Sequence, residues 1–423
     1  MKRDNQSQNS VLVAIDMGSH SFRAMAAEMA TDGALRVLGV EESSQKHCVD
    51  HGVVENTTDA GFMINNVLKL LSNRIHMNGL HSTFVCVGGQ ILKVYPVSSN
   101  RDQVREREIS RHLLDAMEAE CRTKIEKKHP DVMVLDLIPY YYKLDGVEQD
   151  HEPTPDQRAT LVEAHFIAFV GKREYEEKVI SSFDRSTIRV EQMYVRPDAL
   201  LNALASDDDM ANGCAILDLG AQTTTLSIYK GTQYLHNQVV ARGSHDITQA
   251  IASLGLPLHY AEHLKCTYAV ASEDMVTANR RYILPSVDGG KVQITTKQLA
   301  AVVSATLDEI LDPLMQVLNK EASRLKVLYI TGGGSMLPGM VEYIQNKTSV
   351  PVDFGSHAPW ISADSPDEFC MPKYSSLVGT LLLGAAYRVK HPQVKPYEKN
   401  KRILDNLMNR TLDIFTDQDY ASN

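Results

Sequence analysis

The sequence predicts an α/β protein of two similar lobes, and three observations carry that prediction. A strand followed by Asp-x-Gly and a second strand occurs twice, at residues 11–29 and 215–229. A further apolar strand that closes on glycines follows in each half, at 84–89 and 327–334. The four segments keep the same order, and a repeat of that length implies two α/β lobes rather than a short-period solenoid.

Val11 to Ile15 (VLVAI) is apolar and rich in β-branched residues, the pattern of a buried strand. Asp16-Met17-Gly18-Ser19-His20-Ser21 then makes a small polar turn before a strand from Phe22 to Met29. In the second copy, AILDLGAQTTTLSIY aligns Asp218 with Asp16 and Gly220 with Gly18. Between the copies, 57–77 reads as a helix. Residues 101–128 are charged and helical in period, and 131–149 are strand-like. Residues 150–158 form a loop, 161–170 a strand, 172–183 a helix and 188–195 a strand. Pro197 suits the first turn of a helix running to Ala205. The stretch 206–213 (SDDDMANG) reads as a hinge. Helices follow near 245–254, 259–271 and 297–322, after Pro338, and over 374–389; 390–400 is an exposed linker.

The chain has 423 residues, 43 % of them hydrophobic, enough for a large core without staples. A formal net charge of −10 argues against non-specific nucleic-acid binding, so no nucleic-acid partner is expected. Tyr140-Tyr141-Tyr142 follows Pro139 and reads as a strand with one buried face, not a base-stacking platform. Six scattered cysteines without a CxxC pair imply reduced thiols in a cytoplasm. The pairs His47/His51 and His259/His263 lack the glutamate of a HExxH zinc site and read as structural or surface residues. The first apolar run is too short for a signal-peptide core, and no stretch of ~18 apolar residues is present to span a membrane.

A Gly-containing turn between two strands points backbone N–H groups into the space at the strand ends, where they can approach a phosphate. The carboxylate heading each turn can hold a hydrated Mg²⁺ that bridges phosphate oxygens. Ser19, His20 and Ser21 would serve one side of a triphosphate, and Ala221, Gln222, Thr223 and Thr224 the other. A single DxG is an ordinary β-turn; the pairing gives it weight. Thr331-Gly332-Gly333-Gly334-Ser335-Met336-Leu337-Pro338-Gly339 clears side chains from a strand-to-helix turn, at an entropic cost a plain turn does not require. A flat base or ribose could lie there. Glu262 and Lys265 share a helix face and read either as a grip on ribose hydroxyls or as a surface salt bridge.

These motifs (IDMGSHS, LDLGAQTTT, TGGGSMLPG and AEHLK, in this order) resemble the actin–Hsp70–hexokinase ATPase fold, and within it the FtsA family of bacterial cell-division proteins. The resemblance implies two lobes, each a mixed β-sheet with flanking helices. The first would comprise 11–87 and 161–205, with an FtsA-type inserted subdomain at 88–160. The second would comprise 206–243 and 326–389, with a small subdomain at 244–325. It implies ATP and Mg²⁺ as cofactors, with Asp16 and Asp218 on the metal through water. It implies that Gly18, Gly220, Gly243, Gly332, Gly333, Gly334 and Met336 complete the nucleotide site. It further implies self-association into filaments, binding of the FtsZ C-terminal peptide, recruitment of later division proteins, and a place on the cytoplasmic face of the cell membrane at the division site. The chain departs from the family pattern at Ala221 and Gln222, where the family usually has GGGT and this chain Gly220-Ala221-Gln222-Thr223, at Thr225 where an Asp is usual, at Ser21 where a Lys is common, and at Arg196, where hydrolytic relatives carry a Glu before the Pro. Loss of the water-orienting Glu implies ATP binding with slow or negligible turnover.

Residues 401–416 form an amphipathic pattern of their own. Ile403, Leu404, Leu407, Met408, Leu412, Ile414 and Phe415 fall on one side at 100° per residue, and Lys401 and Arg402 lie at its start. Basic residues there contribute ~1 kcal/mol each against anionic lipid, so the segment reads as a reversible interfacial helix. Two further readings stay open on this fold: a small-molecule kinase, for which Asp16, Asp218 or Asp198 would be the base, and an actin-like adaptor of a pilus or secretion machine.

Overall fold

The computed structural model describes residues 11–30, 32–44, 48–77, 79–89, 93–149, 152–184, 186, 188–231 and 233–390. The amphipathic segment at 401–416, nearly all of the preceding linker and residues 1–10 lie outside them.

Two five-stranded mixed sheets repeat one plan. In the first the order is Arg189–Val195, Ser82–Val87, Leu12–Met17, Ser21–Met29, Leu35–Ser44. In the second it is Gln233–Val240, Thr224–Lys230, Cys214–Leu219, Val327–Thr331, Val352–Phe354. In each, the strand before the DxG turn pairs antiparallel with the strand after it and parallel with the strand that closes on glycines. The register repeats as well: Asp16 faces Arg23, and Asp218 faces Thr225.

The central strands are apolar along their whole length because both faces are covered. Successive residues point to opposite faces. Val13 and Ile15 pack with Ile64, Val67 and Leu71 of the helix Thr57–Arg74. Leu12 and Ala14 pack with Leu377, Val378 and Leu381 of the helix Ser375–Lys390. In the second lobe Ala215, Leu217 and Ile330 lie against the long helix Thr296–Glu321. On the other face, Cys214 and Ile216 meet Leu200, Ala203 and Leu204 of the helix Arg196–Leu204.

A four-stranded antiparallel sheet, ordered Lys93–Glu108, Arg158–Lys172, Val132–Leu144, Val147–Gln149, is inserted into the first lobe. The helix Arg111–Lys128 covers it with Leu114, Met117, Cys121 and Ile125. Tyr142 is buried there, and Tyr141 stacks on His165 at 4.1 Å between ring centroids.

Four sequence expectations change. Residues 101–108 are a strand rather than the start of a helix. Their charges suit either element on an exposed edge, and pairing with Arg158–Lys172 decides it. The strand at 161–170 lies within Arg158–Lys172 and joins the inserted sheet, not the first-lobe sheet. The helix at the end of the expected second lobe, Ser375–Lys390, packs on the first-lobe sheet. The expected hinge contains a helix, Asp207–Asn212, closed by a reciprocal Ser206–Asp209 capping box. Lys326 Nζ at 3.0 Å and the Tyr329 hydroxyl at 3.0 Å pin Asp209 to the second lobe.

None of the six cysteines is joined in a disulfide. No cluster of three or more His, Cys, Asp or Glu could hold a metal among the described residues. His47 lies outside them. No helix among the described residues is long and apolar enough to cross a membrane.

Candidate functional site

The two DxG turns face each other across a solvent-open cleft of about 440 Å³, within the ~300–1,000 Å³ of common ligand pockets. Each turn joins two paired strands, with Met17 opposite Phe22 in the first and Leu219 opposite Thr224 in the second. The Gly18 amide donates to the Ser21 carbonyl at 3.1 Å, and the Gly220 amide donates to the Thr223 carbonyl at 2.9 Å. Asp16, Gly18, Ser19, His20 and Ser21 line one side, and Asp218, Gly220, Ala221, Gln222 and Thr223 the other.

Thr224 is fully buried, and its hydroxyl donates to the Arg242 carbonyl, so it supports the turn from behind. Gly243 is likewise a support. A Cβ there would stand 2.6 Å from the carbonyl oxygens of Gly220 and Ala221. Its glycine lets the amides of Ser244 and His245 donate to those two carbonyls at 2.9 and 2.7 Å. Neither residue lines the cleft, contrary to the sequence expectation for both.

Arg196 occupies the centre. Its guanidinium donates to both oxygens of Asp16, at 3.0 and 2.5 Å, and its Nε lies 3.8 Å from Asp218. The Ser376 hydroxyl adds a donor to Asp16 at 2.8 Å. Gly88 makes room for this arrangement, since a Cβ there would sit 3.0 Å from Arg196 Nε. Burial works against the arginine charge, but Asp16, Cys86 and Asp218 outweigh it and hold Arg196 protonated beyond the ordinary arginine range. Burial raises Asp218 above the usual carboxylate range, and Arg196 pulls against that rise.

These residues do not fit a hydrated Mg²⁺ between Asp16 and Asp218. Both Asp16 oxygens already accept from Arg196. At an effective dielectric of about 20, unit charges about 4 Å apart interact by about 4 kcal/mol, and a divalent ion beside the guanidinium would double that repulsion. The charge of the lining also balances: Asp16, Glu42, Asp218 and Glu262 are matched by Arg23, Arg196, Lys265 and Lys373. Asp198, the remaining kinase-base candidate, is buried away from the lining and accepts from Asn202 at 3.1 Å.

The rest of the lining is set by close packing. A Cβ on Gly332 would meet Asp218 Oδ1 at 2.4 Å, and its φ of 85° is one that glycine adopts readily. Gly334 abuts Leu219, which a Cβ at that position would meet at 3.0 Å. Gly333 has nothing within 4 Å and is the open step of the three, beside the part-exposed Met336. Lys265 is no surface residue. It pairs with Glu262 at 2.8 Å and donates to the Ser244 carbonyl and the Thr248 hydroxyl, at 3.1 and 2.8 Å. Burial opposes the charge on Glu262, but the Lys265 and Thr248 hydrogen bonds lower its pKa.

Sequence reasoning missed several cleft residues. Glu42 accepts from Ser21 and from Arg23, the latter at 3.0 Å, and lies 3.4 Å from Lys373. Burial works to raise it, but Arg23 and its hydrogen bonds bring it down to about 2. Ser21 is therefore committed to Glu42. The pairing of Arg23 opposite Asp16 was readable from strand register alone; Glu42, Lys373 and Ser376 come from distant elements and carry no local signal.

Residues 215–379 match the family model described as Cell division protein FtsA. An FtsA from Neisseria meningitidis serogroup B is 25 % identical over 384 residues, covering 89 % of this chain and 90 % of the relative. One from Pseudomonas aeruginosa is 25 % identical over 387 residues, covering 88 % and 89 %. Among solved structures, a PilM–PilN type IV pilus biogenesis complex superposes with a TM-score of 0.64 at 17 % identity, covering 88 % of this chain and 98 % of that one. MreB 5 of Spiroplasma citri bound to AMPPNP gives 0.52 at 10 % identity, covering 89 % and 97 %. These structural likenesses establish the actin-like ATPase fold, and the sequence matches make the chain similar to FtsA cell-division proteins over most of its length.

Proposed function

We propose that the chain is an ATP-binding, actin-like adaptor of cell division. It self-associates into filaments and binds the FtsZ C-terminal peptide. It holds FtsZ polymers at the cytoplasmic face of the membrane through residues 401–416, and it recruits later division proteins. The observation that supports this most directly is the cleft, in which two equivalent DxG turns and the open step at Gly333 converge on one nucleotide-sized space. The AMPPNP bound to the Spiroplasma MreB is consistent with a nucleotide in such a cleft.

Turnover is slow or absent. Arg196 stands where hydrolytic members carry the water-orienting Glu, and the cleft carboxylates Asp16 and Asp218 face this cation. Calorimetric titration of ATP into the full chain tests binding, and phosphate release at about 1 s⁻¹ or faster would contradict the slow-turnover part.

The PilM likeness favours one second reading, a pilus or secretion adaptor. Fluorescence anisotropy with a labelled FtsZ C-terminal peptide separates the two: saturable binding supports the division role, and none supports the second reading.

A further inference from the structure

We infer that Arg196 takes the place of the divalent cation in this cleft, so that a nucleoside triphosphate is held there without Mg²⁺. The inference rests on the nucleotide-binding reading above and specifies how that site handles charge.

The cation is built into the chain. The strand Arg189–Val195 runs directly into the helix that begins at Arg196, and Pro197 fixes the first turn of that helix. Its side chain is 22 % exposed, against 3 % for Asp16. Its placement is over-determined by the bidentate pair with Asp16, by Ser376 behind Asp16, and by the missing side chain at Gly88.

A pair of carboxylates facing a phosphate needs a positive charge between them and the ligand. In this chain the guanidinium already supplies it, and a second cation would meet it at close range. Phosphate charge then falls to donors nearby. Arg23 lines the cleft opposite Asp16 in the strand register, and its Nε is buried with no hydrogen-bond partner. Lys265 lines the opposite lobe. A guanidinium offers several donors in a fixed plane and keeps its charge at any working pH, which suits it to stand permanently where a metal would exchange.

The test is calorimetry of ATP with the full chain, once in excess EDTA and once in Mg²⁺. The expected result is an affinity that agrees within about threefold between the two buffers. Affinity that falls by about tenfold or more in EDTA would overturn the inference while leaving nucleotide binding intact. No heat in either buffer would overturn the inference and the nucleotide reading together. Arg196→Ala gives a second arm. It should weaken ATP binding by about tenfold or more in EDTA and regain it in Mg²⁺, because the freed carboxylates can then take the metal. A variant that binds ATP in EDTA as well as the parent does would also overturn the inference. Should Arg196→Ala fail to fold, Arg196→Lys retains the charge and should retain metal-independent binding, and the two-buffer comparison of the unaltered chain decides without either.

Discussion

Gly379 lies directly against the backbone of Ala199: a Cβ on Gly379 would stand 1.7 Å from the Ala199 carbonyl oxygen. The two residues mark the crossing of the helices Ser375–Lys390 and Arg196–Leu204. The first of these carries Ser376 and the second begins at Arg196, so the crossing also sets the Asp16 cluster. Gly379→Ala must push these helices apart. Overpacking of this kind costs about 1–3 kcal/mol, so the urea midpoint should fall with an unchanged slope. An unaltered midpoint would show that the crossing can relax freely.

Gln222 ties the lobes together at the mouth of the cleft. The His51 amide donates to Gln222 Oε1, and Gln222 Nε2 donates to Asp50 Oδ1, both at 2.9 Å. Gln222→Ala should accelerate hydrogen exchange at the His51 amide, while the stability loss stays near the about 0.5–1.5 kcal/mol of a single hydrogen bond, since Asp50 is well exposed. Exchange at His51 that does not change would remove the latch.

Asp136 and Asp198 are two buried carboxyls that disfavour each other's ionisation. Burial lifts Asp136 to about 6, against the amides of Val195 and Leu137 that pull it down. Burial and then Asp136 push Asp198 up. A carboxyl whose folded pKa lies above its unfolded value of about 3.9 binds its proton more tightly when folded. Its contribution to stability is complete below that value and is lost as pH rises through about 6. Asp198→Asn removes one member of the pair. Thermal melts should show the variant gaining on the parent as pH rises from about 4 through about 6. Parallel melting curves across that range would contradict the coupling.

The proposed function puts membrane attachment on residues 401–416. Replacing Leu404, Leu407 and Phe415 with Glu removes three apolar side chains that contribute about 1.5–3 kcal/mol each when fully buried. Co-sedimentation with anionic vesicles should be lost. Undiminished co-sedimentation would place lipid binding elsewhere.

The duplicated turns were legible because their chemistry is local. Each needs an Asp, a Gly and small polar residues in sequence, and Gly88 and Gly89 are legible for the same reason. The role of Gly89 is steric: its Cβ would stand 2.7 Å from the His51 carbonyl oxygen, where the hairpin from 49 to 54 crosses it. Arg196 was visible as a departure, but its partners were not, because a bidentate pair with a residue 180 positions away leaves no trace in spacing. The sheet that claims Arg158–Lys172 was missed for a related reason. Strand partners are chosen by long-range pairing, and an apolar strand reads alike in either sheet. The capped helix at 207–212 was mistaken for a hinge because a run of acidic residues suits a helix N-terminus as well as a loop.

The helix Ser375–Lys390 ends with Lys390 paired to Glu152 of the inserted subdomain. The last described residue therefore lies at that flank, and a stretch as long as 391–400 spans at most about 35 Å in any conformation, at about 3.3–3.6 Å per residue. Anchored in a bilayer by residues 401–416, the molecule would ride with this shoulder nearest the lipid.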